Sequence, residues 1–299
     1  MLSILIPVFN YDIQELVQSL HVQAQKMDIV FEIRVYDDCS TNLSLQEQNE
    51  SIKDLVRVNY KVLSKNVGFC KIRNLLAEEA LYDNLLFLDS DVAIINDDFI
   101  QNYLDLSDNK TVFCGGMQYQ DKKPINDIFL KWTHGKAREE AFPIQRNENP
   151  HRTIWAGNFF IPKAVYLAIR FDDHSEKYGY NDTMFGYKLL VNNIKVVHID
   201  NLAFHKGLMS TDKFINRSME AVENLLFFEK QPYIEPSFYQ FIKVFKYYKL
   251  LKRFHLDNLF LRWYTTNKAK WIANLKSEKP TLRNLDKLKL GRLVELKKV

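Results

Sequence analysis

The sequence lacks the features that mark several common protein classes. It has three cysteines, Cys39, Cys70 and Cys114, without metal-ligand spacing, and its first residues lack the basic start and long apolar run of a secretory signal. We therefore expect reduced thiols and a cytoplasmic location. No window reaches about 18 consecutive apolar residues, which argues against a transmembrane helix. Internal repeats and low-complexity segments are also missing.

The composition is that of a folded protein with an uneven distribution of charge. Of the 299 residues 46% are apolar and 13% aromatic, enough for one large domain or a domain with an appendage. The net charge is +4, but residues 236–299 hold 16 Lys and Arg against 4 Asp and Glu, so this tail carries +12 and the rest −8. A basic tail on an acidic body suggests an anionic partner, either a membrane surface or a nucleic acid.

The first 115 residues alternate apolar strand patterns with helical patterns. This order is typical of an α/β fold with a mostly parallel sheet flanked by helices. The predicted strands are residues 2–8, 30–36, 56–63, 84–89 and 111–116. The predicted helices between them lie near residues 12–26, 68–81 and 97–104.

The second half of the sequence mixes elements and then becomes helical. Residues 118–153 predict an irregular excursion with one helix around Ile128–Glu139. A strand, two helices and further strands are predicted at 155–162, 163–169, 182–192 and 194–205. From about Thr211 the pattern is helical, and residues 238–254 form a basic amphipathic helix.

Acidic pairs follow two of the predicted buried strands. Asp89 and Asp91 follow the apolar run of "LLFLDSDVAI", and Asp37 and Asp38 end "RVYDD". Hard cations such as Mg²⁺ and Mn²⁺ bind through one or two carboxylates together with substrate phosphates. The alternative is that each pair is an ordinary polar turn or helix cap. Two such pairs at one edge of a sheet favour a cation or hydrogen-bond donors between them.

Other residues have both a structural and a functional interpretation. In "KNVGFCKIRN", Gly68 and the helix start could present amides and Arg73 to an anion, although the segment is neither a Walker loop nor a dinucleotide fingerprint. Asp182 begins a predicted helix, where it is either an N-cap or a general base with Asn181 beside it. His205 is either a satisfied side chain or a ligand, and Trp155 is either a core residue or a surface on which a sugar stacks.

Six segments, taken in order over residues 1–206, resemble the motifs of the family 2 glycosyltransferases, which are inverting, nucleotide-sugar-dependent enzymes of the GT-A fold. The segments are "SILIPVFN", "VYDDCS", "NVGFCKIRN", "LDSD", "AGNFFIPK" and "YGYNDTMFGYKL", and His205 follows them. The joint order is far more specific than any single motif. The resemblance implies a GT-A catalytic domain, which we place over residues 1–230. The tail lies outside the resemblance, and its residues predict a basic amphipathic helical region over 231–299.

The resemblance also implies roles for individual residues. Asp38 would bind the base with support from Asp37, Asp89 would contact the ribose, and Arg73 would lie near the nucleotide. Asp91 and His205 would hold Mn²⁺ or Mg²⁺ on the diphosphate, and Asp182 would be the general base. The remaining nucleotide-sugar residues would be Pro7, Phe9, Asn10, Asn66, Gly68 and Ser90. The acceptor residues would be Trp155, Gly157, Asn158 and Asn181.

The sequence departs from the family pattern at three positions. Asn181 stands where the family has Glu, Cys39 stands where Gly usually allows a tight turn, and Ala156 replaces a Gly. A second acidic partner for Asp182 is therefore missing, but no residue required by the implied mechanism is lost.

The expected partners are a nucleotide-diphospho-sugar, with UDP-sugars favoured, and a glycan or lipid-linked glycan acceptor in cell-surface polysaccharide or glycolipid synthesis. The basic tail predicts either peripheral attachment to the inner face of the cell membrane or a solvated cap on the catalytic domain. No nucleic-acid partner is expected. The alternative functions are a non-catalytic sugar-nucleotide or glycan-binding module and a sugar-nucleotide nucleotidyltransferase.

Overall fold

The computed structural model describes residues 1–124, 126–174 and 178–298, which form two compact units. The sheet unit comprises Met1–Gln120, Glu140–Asp173 and Asn181–Gly207. The helical unit comprises Asp121–Glu139, His174–Tyr180 and the chain from Leu208 onward. The predicted catalytic domain, residues 1–230, therefore draws on both units, and its boundary stays a prediction.

All the strands of the described chain belong to the sheet unit. They are β1 Leu2–Val8, β2 Phe31–Asp37, β3 Val58–Val62, β4 Asn84–Leu88, β5 Val92–Ile94, β6 Val112–Cys114, β7 Met117–Gln118, β8 Asn158–Pro162, β9 Val196–His198 and β10 Ala203–His205. Its helices are α1 Gln14–Lys26, α2 Leu43–Glu50, α3 Phe69–Glu79, α4 Phe99–Leu104, α6 Pro143–Asn147, α7 Lys163–Ile169 and α8 Asn181–Val191. The helical unit contains α5 Phe129–Arg138, α9 Thr211–Glu229, α10 Lys243–Arg253, α11 Asp257–Leu275 and α12 Leu282–Leu296.

The main sheet has the order β3-β2-β1-β4-β8-β6-β9. Strands β3, β2, β1 and β4 run parallel to one another, β8 is antiparallel to both β4 and β6, and β6 and β9 are parallel. The prediction of a mostly parallel α/β sheet is thus confirmed. Because Val8 pairs with Asp37 and Leu88 pairs with Asn158, the residues after β1, β2 and β4 and those before β8 meet at one edge.

Alternate residues of β1 enter two different cores. Ile4 and Ile6 pack in one apolar cluster with α1, whereas Leu5 packs in a second cluster with residues of α3. A strand that is buried on both faces is a continuous apolar run, which is why "LSILIPV" was recognisable from sequence. Burying each large aliphatic side chain stabilises the fold by about 1.5–3 kcal/mol.

A second sheet of the described residues has the order β5-β10-β7. Strand β10 is antiparallel to β5, with His205 opposite Val92, and parallel to β7. Sequence analysis did not anticipate this sheet, because strands of two or three residues are too short to show a period of two. The pairing places His205 next to Asp91, the residue that precedes Val92.

The helical unit has its own apolar core. Tyr264 and Trp271 are buried there with Leu275, Leu285 and Leu288. Tyr264 and Trp271 thus pack into the core of this unit, whereas the neighbouring Trp263 is 43% exposed. In the described part of the chain, no helix has an apolar stretch long enough to span a membrane.

A buried arginine ties together the segments that flank β6 and β9. Arg146 of α6 donates to the carbonyls of Cys114, Gly115 and Ile199 at 2.8–3.2 Å. It also donates to His198 Nδ1 at 3.0 Å, so the proton of this ring is on Nε2, which lies 2.9 Å from the Pro150 carbonyl. Burial lowers the pKa of His198 to about 4.

The free energy of unfolding should therefore depend on His198 below neutral pH. The unfolded chain takes up a proton at a pKa of about 6.5, whereas the folded chain resists protonation until about pH 4. The stability that the neutral His198 ring contributes is thus fully present above pH 6.5 and is lost as the pH falls from 6.5 toward 4. We expect the wild type to lose about 2 kcal/mol more than His198→Gln between pH 7 and pH 5, measured by urea denaturation.

The control for this measurement is His255→Asn, because His255 is exposed. Its pH dependence should match that of the wild type. If the free energy of unfolding changes with pH equally in the wild type and in His198→Gln, the His198 ring is not held neutral by its burial.

Candidate active site

The loops after β1 and β2 are joined where the two strands end. The amide of Asp38 donates to the Val8 carbonyl at 2.8 Å. Asn10 adopts φ +52° and donates from its backbone to Ser40 Oγ at 2.8 Å, while its Oδ1 accepts from the amide of Asn42 at 2.8 Å. Two segments about 30 residues apart in sequence thus form one surface. Pro7 is half-buried within β1, and Phe9 is 47% exposed at the strand end.

Asp37 is a buried brace for the turn that follows it. Its carboxylate accepts from the amide of Ser40 at 2.6 Å and from the hydroxyl of Tyr60 at 2.8 Å. Burial, followed by the nearby Asp37 carboxylate, raises the pKa of Tyr60, so its hydroxyl stays protonated and continues to donate. Tyr60 lies on β3, and sequence analysis gave no sign of this contact.

Asp38 joins the acidic turn to the loop that follows β3. Its two oxygens accept from the amides of Val67 and Gly68 at 2.6 and 2.9 Å, and Asn66 donates to its carbonyl at 3.0 Å. Burial raises the pKa of Asp38, although both amides act in the opposite direction. Gly68 has φ +85°, a conformation that glycine adopts without strain, and α3 begins directly after it.

Cys39 keeps the left-handed turn that glycine usually allows at this position. Its φ is +61°, and such a conformation costs a residue with a side chain about 1–2 kcal/mol. The hydrogen bonds of Asp37 and Ser40 on either side hold this turn in place. All three cysteines are free thiols.

Arg73 lies at the first turns of α3 and is 3% exposed. Its guanidinium forms an ion pair with Asp89, donates to the Phe69 carbonyl at 2.9 Å and lies 3.7 Å from the centre of the Phe69 ring. Arg73 Nε is buried and has no hydrogen-bond partner among the described residues. A buried cation with an unused N–H is suited to an anionic or carbonyl oxygen of a ligand.

Asp89 is held against the segment that precedes β8. Its amide donates to the Gly157 carbonyl at 3.1 Å, and a Cβ added at Gly157 would lie 2.5 Å from Asp89 Oδ2 and overlap the Trp155 ring. Burial raises the pKa of Asp89, and the Arg73 cation opposes this shift. Ser90 is half-buried between the two carboxylates. Glycine at position 157 thus permits the close approach of Asp89 and Trp155.

Asp91 and His205 meet through the second sheet. The amide of Lys206 donates to the Asp91 carbonyl at 2.8 Å, and His205 Nε2 lies 3.7 Å from Asp91 Oδ2. The His205 ring lies between Tyr119 and Trp155, with ring centres 5.1 and 5.9 Å away. The imidazole and the carboxylate thus face each other from neighbouring strands.

This pair has the donor chemistry of a partial metal site. Over the described residues there is no group of three or more His, Cys, Asp or Glu side chains arranged to hold a metal ion. One carboxylate and one imidazole nevertheless suit a divalent cation that takes its other ligands from phosphates and water. A Cβ added at Gly207 would overlap Asp91 Oδ2, so the chain here leaves room only for the carboxylate.

Asp182 lies in the first turn of α8 and is half-buried. Its Oδ2 is 3.5 Å from the amide of Ala156, the residue between Trp155 and Gly157. The segment 155–157 therefore links the Asp182 carboxylate to the Asp89 side of the site. Asn181 beside it is buried.

Asn158 is occupied by contacts within the protein. It is fully buried, its Oδ1 accepts from the Tyr103 hydroxyl at 2.6 Å, and its Nδ2 donates to the carbonyls of Gly116 and Asn201 at 2.9 and 2.8 Å. These bonds join β8 to helix α4 and to the loops at Gly116 and Asn201. A direct contact between Asn158 and an acceptor stays a prediction.

The structure also brings residues to this edge that sequence analysis missed. Tyr60, Tyr119 and Gly207 contact or pack against the predicted residues, as described above. Tyr11 is another, because burial and then the nearby Asp91 carboxylate raise its pKa. No spacing signal marks these residues, because Tyr60 reaches Asp37 from the neighbouring strand β3 and the other three lie in turns or beside very short strands.

Comparison with known proteins gives consistent matches. A family model described as Glycosyl transferase family 2 matches residues 3–166. Chondroitin synthase from Escherichia coli is 28% identical over 221 residues, which are 63% of this chain and 32% of that protein. Chondroitin synthase from Pasteurella multocida is 28% identical over 276 residues, which are 78% of this chain and 28% of that protein. The chain thus spans about a third of the length of these relatives.

Solved structures resemble the whole chain. The mannosyltransferase from Pyrobaculum calidifontis, in complex with GDP-Man and Mn²⁺, has a TM-score of 0.59 and 12% identity over 99% of this chain and 86% of that one. TarS residues 1–349 from S. aureus, in complex with UDP-GlcNAc, has a TM-score of 0.52 and 18% identity over 99% of this chain and 92% of that one. At these identities the likeness shows a shared fold.

Proposed function

Since the chain belongs to the family 2 glycosyltransferases and has the GT-A fold, we propose that it transfers a sugar from a nucleotide-diphospho-sugar to an acceptor hydroxyl with inversion at the anomeric carbon. The observation that carries this proposal is the convergence of the Asp38 loop, the Arg73–Asp89 ion pair and the Asp91–His205 pair at one edge of the sheet unit. Asp182 is connected to the same edge through residues 155–157.

The donor nucleotide is proposed to lie across the ends of β1 and β2. Asp38, held by two backbone amides, would accept from the base, and Asp37 would fix the turn. Asp89 would accept from the ribose hydroxyls, and Arg73 would lie beside the nucleotide with its unused Nε–H. Phe9, Asn10, Asn66, Gly68 and Ser90, together with Pro7, would shape the surface on which the nucleotide rests.

Asp91 and His205 are proposed to hold Mn²⁺ or Mg²⁺ together with the diphosphate. When bound, the cation would offset the negative charge that develops on the leaving diphosphate. Tyr119 and Trp155 flank the His205 ring and would keep it oriented toward Asp91. Two protein ligands and two or more phosphate oxygens match the way such cations bind at phosphate-transfer sites.

Asp182 is proposed to be the general base. It would take the proton of the acceptor hydroxyl as the new bond forms between that oxygen and the anomeric carbon. The bond from this carbon to the diphosphate oxygen breaks in the same step, so no protein nucleophile is needed. Trp155, which flanks His205 and Gly157, offers a flat aromatic face to the sugars, and Asn158 and Asn181 would position this segment.

The acceptor is proposed to be a glycan or a lipid-linked glycan, in cell-surface polysaccharide or glycolipid synthesis. The similarity to two chondroitin synthases supports a polysaccharide product. The proposed location is the cytoplasm, at the periphery of the inner face of the cell membrane. UDP-sugars are the favoured donors.

A calorimetric titration with UDP, GDP and dTDP, each with and without Mn²⁺, tests the donor assignment. We expect one of the three to bind, with UDP favoured, and Mn²⁺ to increase its affinity because Asp91 and His205 would hold the cation beside the diphosphate. Absence of binding by all three in the presence of Mn²⁺ would contradict the proposed function.

A further inference from the structure

The first turns of the basic tail carry an exposed apolar stripe. The side chains of Tyr247 and Leu250 on α10 and of Phe254 at its C-cap are 60%, 50% and 59% exposed. Their spacing of three and four residues places them on one face of the helix. Single exposed apolar residues are ordinary, but an aligned row of three large ones marks an interaction surface.

A second stripe of the same spacing follows immediately on α11. Leu256, Leu259 and Trp263 are 44%, 64% and 43% exposed. Phe254 directly follows α10 and Leu256 directly precedes α11, with only His255 between them, so the two stripes are consecutive in sequence. We call the six side chains together the apolar ridge.

The apolar ridge does not consist of core residues left uncovered, because both helices bury a different face. Val244 and Phe245 of α10 are buried, as are Tyr264 and Trp271 of α11. Within the helical unit α10, α11 and α12 contact one another through these inward faces. The ridge is therefore apolar surface outside the core of this unit, except that the Trp263 ring also contacts the buried Trp271, with ring centres 4.7 Å apart.

Cationic side chains accompany the ridge. Lys243, Lys246, Lys249 and Arg253 are exposed on α10, and Arg262 is exposed on α11. Residues 243–271 contain one acidic residue, Asp257, and it is 3.3 Å from Lys252 Nζ. The surface around the ridge therefore carries a strong positive charge.

We propose that the apolar ridge is the surface by which the chain docks on a leaflet of anionic lipids. Helices α10 and α11 would lie at the interface, with the ridge in the boundary between headgroups and acyl chains and the lysines on lipid phosphates. This names the element that carries out the membrane attachment included in the proposed function. A nucleic acid would pair with the lysines but would leave the six apolar side chains in water, and a second copy would bring two positive faces together.

Flotation of the full chain with vesicles tests this docking surface. We expect binding to phosphatidylcholine vesicles that contain phosphatidylglycerol and little binding to phosphatidylcholine alone, because each Lys or Arg near an anionic surface contributes about a fivefold gain in affinity. Lys246→Glu/Lys249→Glu should weaken binding at least about tenfold. The matched control is Lys26→Glu/Lys110→Glu, which changes the charge equally at two exposed lysines of the sheet unit and should bind like the wild type.

A second pair of variants tests the contribution of the apolar side chains to vesicle binding. Leu250→Ser/Phe254→Ser should lose binding to the phosphatidylglycerol vesicles. Phe142→Ser/Ile144→Ser removes two apolar side chains that are 75% and 79% exposed in the sheet unit, and should retain binding. Each variant is first shown to unfold at the wild-type temperature, so that a lost fold is not mistaken for a lost surface.

Three outcomes would overturn the docking surface. They are equal binding to neutral and anionic vesicles, unchanged binding by Leu250→Ser/Phe254→Ser, and dissociation of a dimer by that variant without any effect on vesicle binding. Nucleotide binding measured in parallel separates the two proposals. Vesicle binding without nucleotide binding would contradict the proposed transfer alone, and nucleotide binding without vesicle binding would contradict the docking surface alone.

Discussion

Asp182→Asn is expected to reduce the turnover number for sugar transfer by about 10²- to 10⁴-fold, because the amide cannot accept the proton of the acceptor hydroxyl. The donor should still bind with wild-type affinity, since Asp182 lies on the 155–157 side of the site and not on the Asp38 loop. Transfer would be measured as release of the nucleoside diphosphate in the presence of acceptor, and donor affinity by calorimetry. A loss of turnover without a loss of donor binding identifies an interaction made in the transition state.

A matched control for this variant is Asp83→Asn. Asp83 is exposed just before β4, and its substitution makes the same change of charge. It should retain transfer and nucleotide binding. If Asp182→Asn keeps more than a tenth of wild-type turnover with saturating donor and acceptor, Asp182 is not the base.

Asp91→Asn is expected to abolish the increase in nucleotide affinity that Mn²⁺ produces and to reduce transfer to background. The amide has no negative charge for the cation, which would leave His205 as the remaining protein ligand of the proposed pair. Titration with nucleotide in the presence and absence of Mn²⁺ measures this effect. Asp97→Asn, an exposed carboxylate six residues along, is the control and should keep the metal dependence.

A second variant separates the charge of Asp91 from its position. In Gly207→Ala the added methyl would overlap Asp91 Oδ2, so the carboxylate must move while its charge is kept. We expect this variant also to lose most of the Mn²⁺ effect, because a cation held by two protein ligands depends on their separation. Full metal dependence in both Asp91→Asn and Gly207→Ala would exclude Asp91 as a ligand.

The sequence predicted the main sheet because its strands are long and buried on both faces. The runs that became β1 and β4 are almost entirely apolar, β2 contains the apolar residues Phe31, Ile33 and Val35, and carboxylates stand at the ends of β2 and β4 where the chain turns. The same run-then-carboxylate pattern located Asp37, Asp38, Asp89 and Asp91. These features depend on local sequence, which is why a single chain was sufficient to find them.

The contacts that join these residues depend on distant partners and were not predictable. Asp38 meets the amides of Val67 and Gly68, about 30 residues away, and His205 meets Asp91 through strands of three residues. Helix α2 was also missed, because its exposed, polar sequence has no apolar period. Tyr264 and Trp271 are buried whereas Trp263 is exposed, although all three lie in one basic, aromatic stretch. Only the packing of the helical unit distinguishes them, so the sequence could not predict this difference.

The most direct measurement is a crystal structure of the chain grown with Mn²⁺ and the nucleoside diphosphate that binds it, with anomalous diffraction recorded at a wavelength where manganese scatters. We predict an anomalous peak within coordination distance of an Asp91 carboxylate oxygen and of His205 Nε2, with the diphosphate next to it and the base beside Asp38. A peak elsewhere, or nucleotide bound away from the ends of β1, β2 and β4, would contradict it.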